Sequence, residues 1–350
     1  MTTSSPDAAA ASPVAGRASA PAMPRPQVRP RATAPPTESA APVTSAAGTD
    51  GPATRPRSDA PLEFGHRSRG RAVKDVVARC VIWASFGVAM IPLVWILYTV
   101  VSKGAGLLLQ SQWWTNSQRN VNSDDVGGGA IHAIQGTLLQ AGVTAVVAVP
   151  IGILTAIYLV EYGRGPVARA VSFMVDILTG VPSIVAALFV YAVWVTTFGF
   201  QRVGFAVSLA LVLLMLPVVV RSTEEMLKLV PNELREASYA LGVPKWVTIS
   251  RIVLPTAFSG IVTGVLLGLA RIMGETAPLL ILGPYTKSIA TNLFSGPMPT
   301  LPTMINQDRS ELGLAPAVER MWATSLTLIL LVLLLNLAGR VIARYSAVRK

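Results

Sequence analysis

The sequence predicts an all-α polytopic membrane protein with six transmembrane helices, and three observations carry that prediction. Apolar residues make up 52% of the 350-residue chain against 13% charged, a balance foreign to soluble domains. They are gathered into runs long enough to cross a bilayer, for which a helix needs about 20 residues over about 30 Å of hydrocarbon. Lys and Arg collect in alternate connections between those runs, where they act as orientation signals.

The first run is 80–102. The second lies within 126–160 and becomes 138–160 once its polar beginning is trimmed. The third covers 168–195 and contains Asp176 and the interruption Gly180-Val181-Pro182. The fourth is 203–220, the fifth 255–282 and the sixth 321–339. The segments 62–79, 160–170, 221–251 and 340–350 are rich in Lys and Arg, and the alternate loops 102–130, 196–203 and 282–320 are poor in them. The positive-inside rule therefore predicts both termini in the cytoplasm. Trp113 and Trp114 then fall at the outer interface, and Pro284, Pro297, Pro299 and Pro302 shape an irregular outer loop over 283–320 that is long enough to meet a partner.

Residues 1–61 hold 12 prolines, 16 alanines and no aromatic residue, so they read as a disordered cytoplasmic tail. They contain no continuous apolar stretch near the start and do not read as a cleavable signal peptide. Residues 62–79 form a basic juxtamembrane segment, and 80–345 the membrane domain. A net charge of +11 suggests nucleic acid for a soluble chain. Here the cations flank apolar runs, so membrane lipid is expected and nucleic acid is not. Cys80 is the sole cysteine, and His66 and His132 the sole histidines, which leaves no disulfide and no expected metal site.

The connection 221–255 is too polar for the membrane. Asn232 suits a helix N-cap, Glu233 and Glu236 follow near the positive end of the helix, and Leu234, Ala237 and Leu241 share one face. Gly242 accepts the left-handed conformation that ends a helix, and Pro244 suits the first turn of the next. These features describe a helical hairpin. From periodicity alone, an amphipathic connection lying on the inner membrane surface fits as well.

Spacing adds specificity. Glu236-Ala237-Ser238, Gly242 four positions after Ser238, and Ile252, Leu254 and Pro255 closely resemble the EAA signature of permease subunits in binding-protein-dependent ABC importers. Ser238, where a second Ala is usual, is the one departure. The resemblance implies a type I importer permease whose cytoplasmic EAA hairpin sits in a groove of a separate ATPase. Ala237 and Ser238 are expected to permit close approach to it. The chain contains no Gly-x-x-x-x-Gly-Lys-Ser/Thr phosphate-binding loop, so no ATP hydrolysis by that route is expected of it and it reads as a non-enzymatic subunit. It is expected to bind no cofactor itself, ATP and Mg being used by the partner ATPase.

The segments VVVRSTEEMLKLVPNELREASYALG and GIVTGVLLGLARIMGETAPLL resemble the phosphate-specific permease family PstA, supported by IGILTAIYLVEYG, TGVPSIVAAL and MPTLPTMIN. The resemblance implies phosphate as cargo in a bacterial inner membrane. The implied partners are a homologous PstC-like permease, two PstB-like ATPase subunits and an extracytoplasmic PstS-like phosphate-binding protein. It also gives Arg221 and Arg271 a functional role, at opposite ends of one anion path.

Phosphate chemistry agrees, since a hydrated anion is stripped of water only against cationic donors. Arg271 lies inside the fifth run, about 24 Å along a helix starting at Pro255, where an Arg is costly unless it lines a path. Glu275 is one turn away, and a purely structural ion pair is the alternative. For Arg221, interfacial snorkelling is the alternative. Asp176 reads as a structural partner for an Arg, or as a protonated carboxyl bonded to backbone freed near Gly180 and Pro182, ahead of substrate contact. Gly180, Pro182 and Ser183 form a hinge or packing kink, with backbone amides facing an anion as the sharper reading. Rival functions are import of another oxyanion (sulfate or molybdate), a secondary transporter or channel, and a phosphate-sensing membrane adaptor. A membrane enzyme is the least supported of them.

Overall fold

The computed structural model of the chain describes residues 69–348. The tail expected at 1–61 and the first part of the basic segment lie outside the described residues. Those residues build helices and no strand. Five stretches are long and apolar enough to cross a membrane. They are α1 (Arg69–Leu108), α3 (Ile131–Ile157, extended by a π-helical turn Tyr158–Tyr162), α6 (Gly204–Lys228), α9 (Leu254–Met273) and α12 (Ala315–Val348). Short helices α2 (Ser111–Thr115), α7 (Asn232–Ala240), α8 (Lys245–Thr248), α10 (Ala277–Leu282) and α11 (Leu301–Arg309) lie in the connections, and a π-helical turn Ile249–Val253 leads from α8 into α9.

The all-α multi-pass architecture is the one the sequence predicts, with three differences of detail. The third run is two helices, α4 (Gly165–Gly180) and α5 (Ser183–Val190, extended by a π-helical turn to Thr197), bent by 108°. It makes a sixth span only if the pair is counted as one. Pro182 donates no N–H and forces Val181 out of the helical region, to φ −70° and ψ 124°. The fifth run ends at Met273, where Gly274 caps α9, and Pro278 then opens α10 in its first turn. The second starts at Ile131 rather than 138 because its polar residues face inward: His132, Thr137, Gln140 and Thr144 are all buried.

Helix α6 is the centre, with α3 and α9 both packed along it, while α12 lies against α9 and carries α1. Small residues allow these close approaches, as in membrane packing generally. Gly260, Gly264 and Gly268 form a stripe on α9 one turn apart, facing Met226, Ser222 and Met215 of α6. Gly152 of α3 sits against Val219.

At the end away from the α7–α8 hairpin, the long connector folds down into the bundle instead of standing free. Met298, Leu301 and Met304 are fully buried. Thr300 and Thr303 form a capping box for α11, and the Leu301 amide donates to Thr137 Oγ1 at 2.9 Å. Trp113, expected at an interface, is instead core, donating from Nε1 to Thr327 Oγ1 at 2.9 Å; of the pair, only Trp114 is exposed. Gly136 faces the Pro299 carbonyl so closely that an added Cβ would overlap it. Backbone pinned by the Thr137–Leu301 bond has no room to retreat. Gly136→Ala is therefore expected to cost at least the roughly 1–3 kcal/mol typical of overpacking, read as a lowered unfolding midpoint in detergent.

Candidate functional site

The α7–α8 hairpin forms as the local chemistry dictates. Gly242 adopts φ +75° between the arms, a conformation for which a side chain is penalised. Pro244 stands at the N-cap of α8 rather than inside it, and Asn232 is the first residue of α7 rather than its cap, with Pro231 at the cap. Asn232 Oδ1 instead accepts from Arg235 Nη1 at 3.1 Å.

The hairpin leaves several large apolar side chains uncovered. Leu241 is 83% exposed and Trp246 68%, with Leu234, Glu236 and Ala237 exposed beside them. Ser238 does not belong to that surface. It is buried between the arms, its Oγ 2.8 Å from Thr248 Oγ1. The departure from the family pattern thus supplies a cross-hairpin hydrogen bond, and Ala237 is left as the small exposed residue. Ile252, Leu254 and Pro255 are partly buried where the hairpin runs into α9.

The arginines sit differently. Arg221 lies two turns inside the end of α6, and both terminal nitrogens of its guanidinium are engaged: Nη1 donates to Glu224, and Nη2 to Asp176 and to Ser172 through both the carbonyl and Oγ at 3.0 Å. Glu224 also accepts from Lys228 Nζ at 2.7 Å. Asp176 thus pairs with an Arg, as the first of its three readings has it. The cluster ties α4 to α6, and a cavity of about 270 Å³ lined by Gly163, Arg169, Ser172 and Glu224 opens beside it.

Arg271 is 52% exposed near the end of α9, with Nε only 3.9 Å from Glu275 Oε1, a loose pair. Ser222 meets Gly264, so Arg221 and Arg271 are separated by about 9 Å along the α6–α9 axis at ~1.5 Å of rise per residue. Gly180, Pro182 and Ser183 form the 108° bend, where Pro182 caps α5 and its carbonyl accepts from the Val185 amide at 2.9 Å. A larger concavity, about 540 Å³ between α3 and α9, is lined by apolar side chains such as Val149, Ile153, Phe258 and Val262 and offers an anion nothing.

Two clusters escape sequence reasoning. The first surrounds Arg235, which joins α7 to Glu161 at the end of α3. The second lies at the opposite end of the bundle, where buried Arg320 donates to the carbonyls of Asp125 at 2.7 Å and Ser123 at 2.8 Å and faces buried Asp308 at 3.8 Å. Tyr285 donates to Gln118 Oε1 at 2.9 Å, and Lys287 to the Val121 carbonyl at 2.8 Å. Together they fasten the connector that follows α2 onto α12 through Arg320 and onto the segment after α10 through Tyr285 and Lys287. Most of these partners are distant in the chain, so no local spacing announces them.

Burial pushes the Asp308 carboxyl up to about 6 against the opposing pull of Arg320, and burial likewise raises the Tyr285 phenol. The folded chain then holds a proton on Asp308 at pH values where the unfolded chain has released it. Its stabilising contribution is full below about pH 4 and lost as pH rises through about 6. Relative to Asp308→Asn, the wild-type chain is expected to lose roughly 2–3 kcal/mol between those limits, measured as the pH dependence of the difference in unfolding midpoints.

Residues 148–349 match the family model described as binding-protein-dependent transport system inner membrane component. The chain is 53% identical over 290 residues to the phosphate transport system permease protein PstA 1 of Mycobacterium tuberculosis (strain CDC 1551 / Oshkosh), covering 83% of this chain and 95% of that one. It is 40% identical over 292 residues to the phosphate transport system permease protein PstA of Yersinia pestis, covering 82% and 96%. Among solved structures, a bacterial alginate ABC transporter in complex with an alginate pentasaccharide-bound periplasmic protein aligns with a TM-score of 0.55 at 15% identity, over 81% of this chain and 99% of that one. This last likeness concerns the fold.

Proposed function

We infer the function from one premise: the chain belongs to the family of binding-protein-dependent transport system inner membrane components, within its PstA phosphate-permease branch. It is accordingly a multi-pass membrane permease subunit of an ABC importer. Its cargo, in our reading, is phosphate. The observation that carries this is 53% identity across 83% of the chain to a phosphate transport permease.

The rest of the reading follows from geometry and charge. The exposed apolar face of the hairpin, with Ala237, Leu241 and Trp246 uncovered, suits insertion into a groove of a PstB-like ATPase subunit. Glu236 lies beside that face, and Gly242, Ile252, Leu254 and Pro255 shape the turn and its junction with α9. Two such ATPases hydrolyse ATP with Mg; this chain binds no cofactor and is not itself catalytic. A PstC-like permease supplies the other half of the path, and a PstS-like protein delivers phosphate from outside. The Lys and Arg bias supports a bacterial inner-membrane subunit with both termini, the 1–61 tail and the hairpin in the cytoplasm.

Within the path, Arg271 is the cation that meets the anion. Glu275, at 3.9 Å, holds it loosely and is displaced when phosphate offers more acceptor oxygens. Arg221 is neutralised by Asp176 and Glu224 and meets phosphate only when α4 moves relative to α6, with the bend at Gly180, Pro182 and Ser183 as the hinge. Sulfate or molybdate import is the rival reading. In a reconstituted complex, uptake of radiolabelled phosphate is expected to be suppressed by excess phosphate and left intact by excess sulfate or molybdate; equal suppression by sulfate removes the cargo assignment.

A further inference from the structure

Both arms of the hairpin grip Glu161 at the end of α3. On α7, Arg235 uses all five of its N–H groups: Nε and Nη2 donate to Glu161 Oε1 at 3.1 and 3.0 Å, Nη2 also to the Leu227 carbonyl at 2.9 Å, and Nη1 to the Val230 carbonyl at 2.6 Å and Asn232 Oδ1 at 3.1 Å. On α8, Lys245 Nζ donates to the Glu161 carbonyl and stands 4.8 Å over the Tyr162 ring. The ion pair is largely screened from water, with the Glu161 side chain 6% exposed and that of Arg235 13%.

The hairpin is continuous with α9 through the chain itself, by the π-helical turn Ile249–Val253. To α3 it is joined in a different way, through these side chains, at the second π-helical turn Tyr158–Tyr162. Such widened turns recur at functional positions and are among the places where helices change direction. Parting a buried pair strands a charge away from water, so the hairpin and the end of α3 are held to move as one. Helices α3 and α9 both pack along α6.

We propose that Glu161, gripped by Arg235 and Lys245, is the joint that carries movement of the hairpin into α3, so that α3 and α9 move together about α6. The proposal rests on the hairpin being the ATPase-coupling element. Glu161 and Arg235 are positioning residues and touch neither phosphate nor nucleotide.

The test uses the purified complex with its ATPase and binding protein in proteoliposomes, recording phosphate moved per ATP hydrolysed. That ratio is independent of how much folded complex is present. Glu161→Ala is expected to keep the ATPase in the complex and its hydrolysis rate within about twofold of wild type, while phosphate moved per ATP falls at least tenfold. Glu161→Gln, which retains an acceptor oxygen of the same reach, is expected to recover an intermediate ratio. An unchanged ratio in Glu161→Ala overturns the proposal. So does loss of the ATPase from both variants, because the pair then serves docking rather than transmission. Absence of ATP-driven uptake in the wild-type complex is a different failure, that of the importer reading itself.

Discussion

Replacing Arg271 by Ala is expected to reduce phosphate uptake by about 10- to 100-fold, the equivalent of losing one charge-assisted hydrogen bond of roughly 1.5–3 kcal/mol, in a complex that still assembles and hydrolyses ATP. Assembly survives because the side chain is half exposed at the end of α9 and its contact with Glu275 is loose. Folding therefore depends little on it. Arg271→Lys keeps the charge and loses the planar fork, so an intermediate rate is expected. Glu275→Gln removes the competitor and should tighten phosphate retention while slowing its release. Uptake measured in proteoliposomes separates the three. Normal uptake by Arg271→Ala removes Arg271 from the path.

Leu241→Asp is expected to strip the ATPase from the complex while leaving the permease folded. Leu241 is 83% exposed on the hairpin tip, so a carboxylate there costs the fold almost nothing, but an apolar groove closing over it has to desolvate a charge. Co-purification should drop at least tenfold, with an unchanged unfolding midpoint. Ser238→Ala is the contrast. It removes the hydrogen bond to Thr248 within the hairpin, a loss on the order of 1 kcal/mol, and leaves the exposed face as it was. The ATPase should stay bound.

These two variants mark what is legible in the sequence. The hairpin is, because its determinants are local: Gly242 takes a positive φ that few other residues accept, and the apolar face repeats at helical spacing within one short segment. The burial of Ser238 is not, since its partner lies on the opposite arm. Long uncharged runs report five spans well, yet they also merge α4 and α5 into one helix although Pro182 stands between them. A proline is tolerated within α1, α3 and α6, so its presence alone does not say whether a helix bends by 108°. The general preference of tryptophan puts Trp113 at an interface, whereas its burial depends on Thr327, 214 positions away. Arg221 is visible as an arginine at a span end, but its pairing with Asp176 is a tertiary fact. Arg235 looks like one more cation in a basic loop. Only the fold brings Glu161 to it.

This subunit is expected to move phosphate only when a separate ATPase drives it. The most direct measurement is uptake of radiolabelled phosphate into proteoliposomes containing the complex purified through this chain, with the copurifying proteins identified. A P-loop ATPase and a second permease with the EAA spacing are expected in the preparation, with uptake that requires both ATP and the binding protein. Phosphate flux through the isolated chain without ATP, or a preparation that transports phosphate and contains no ATPase, contradicts ATPase-driven import.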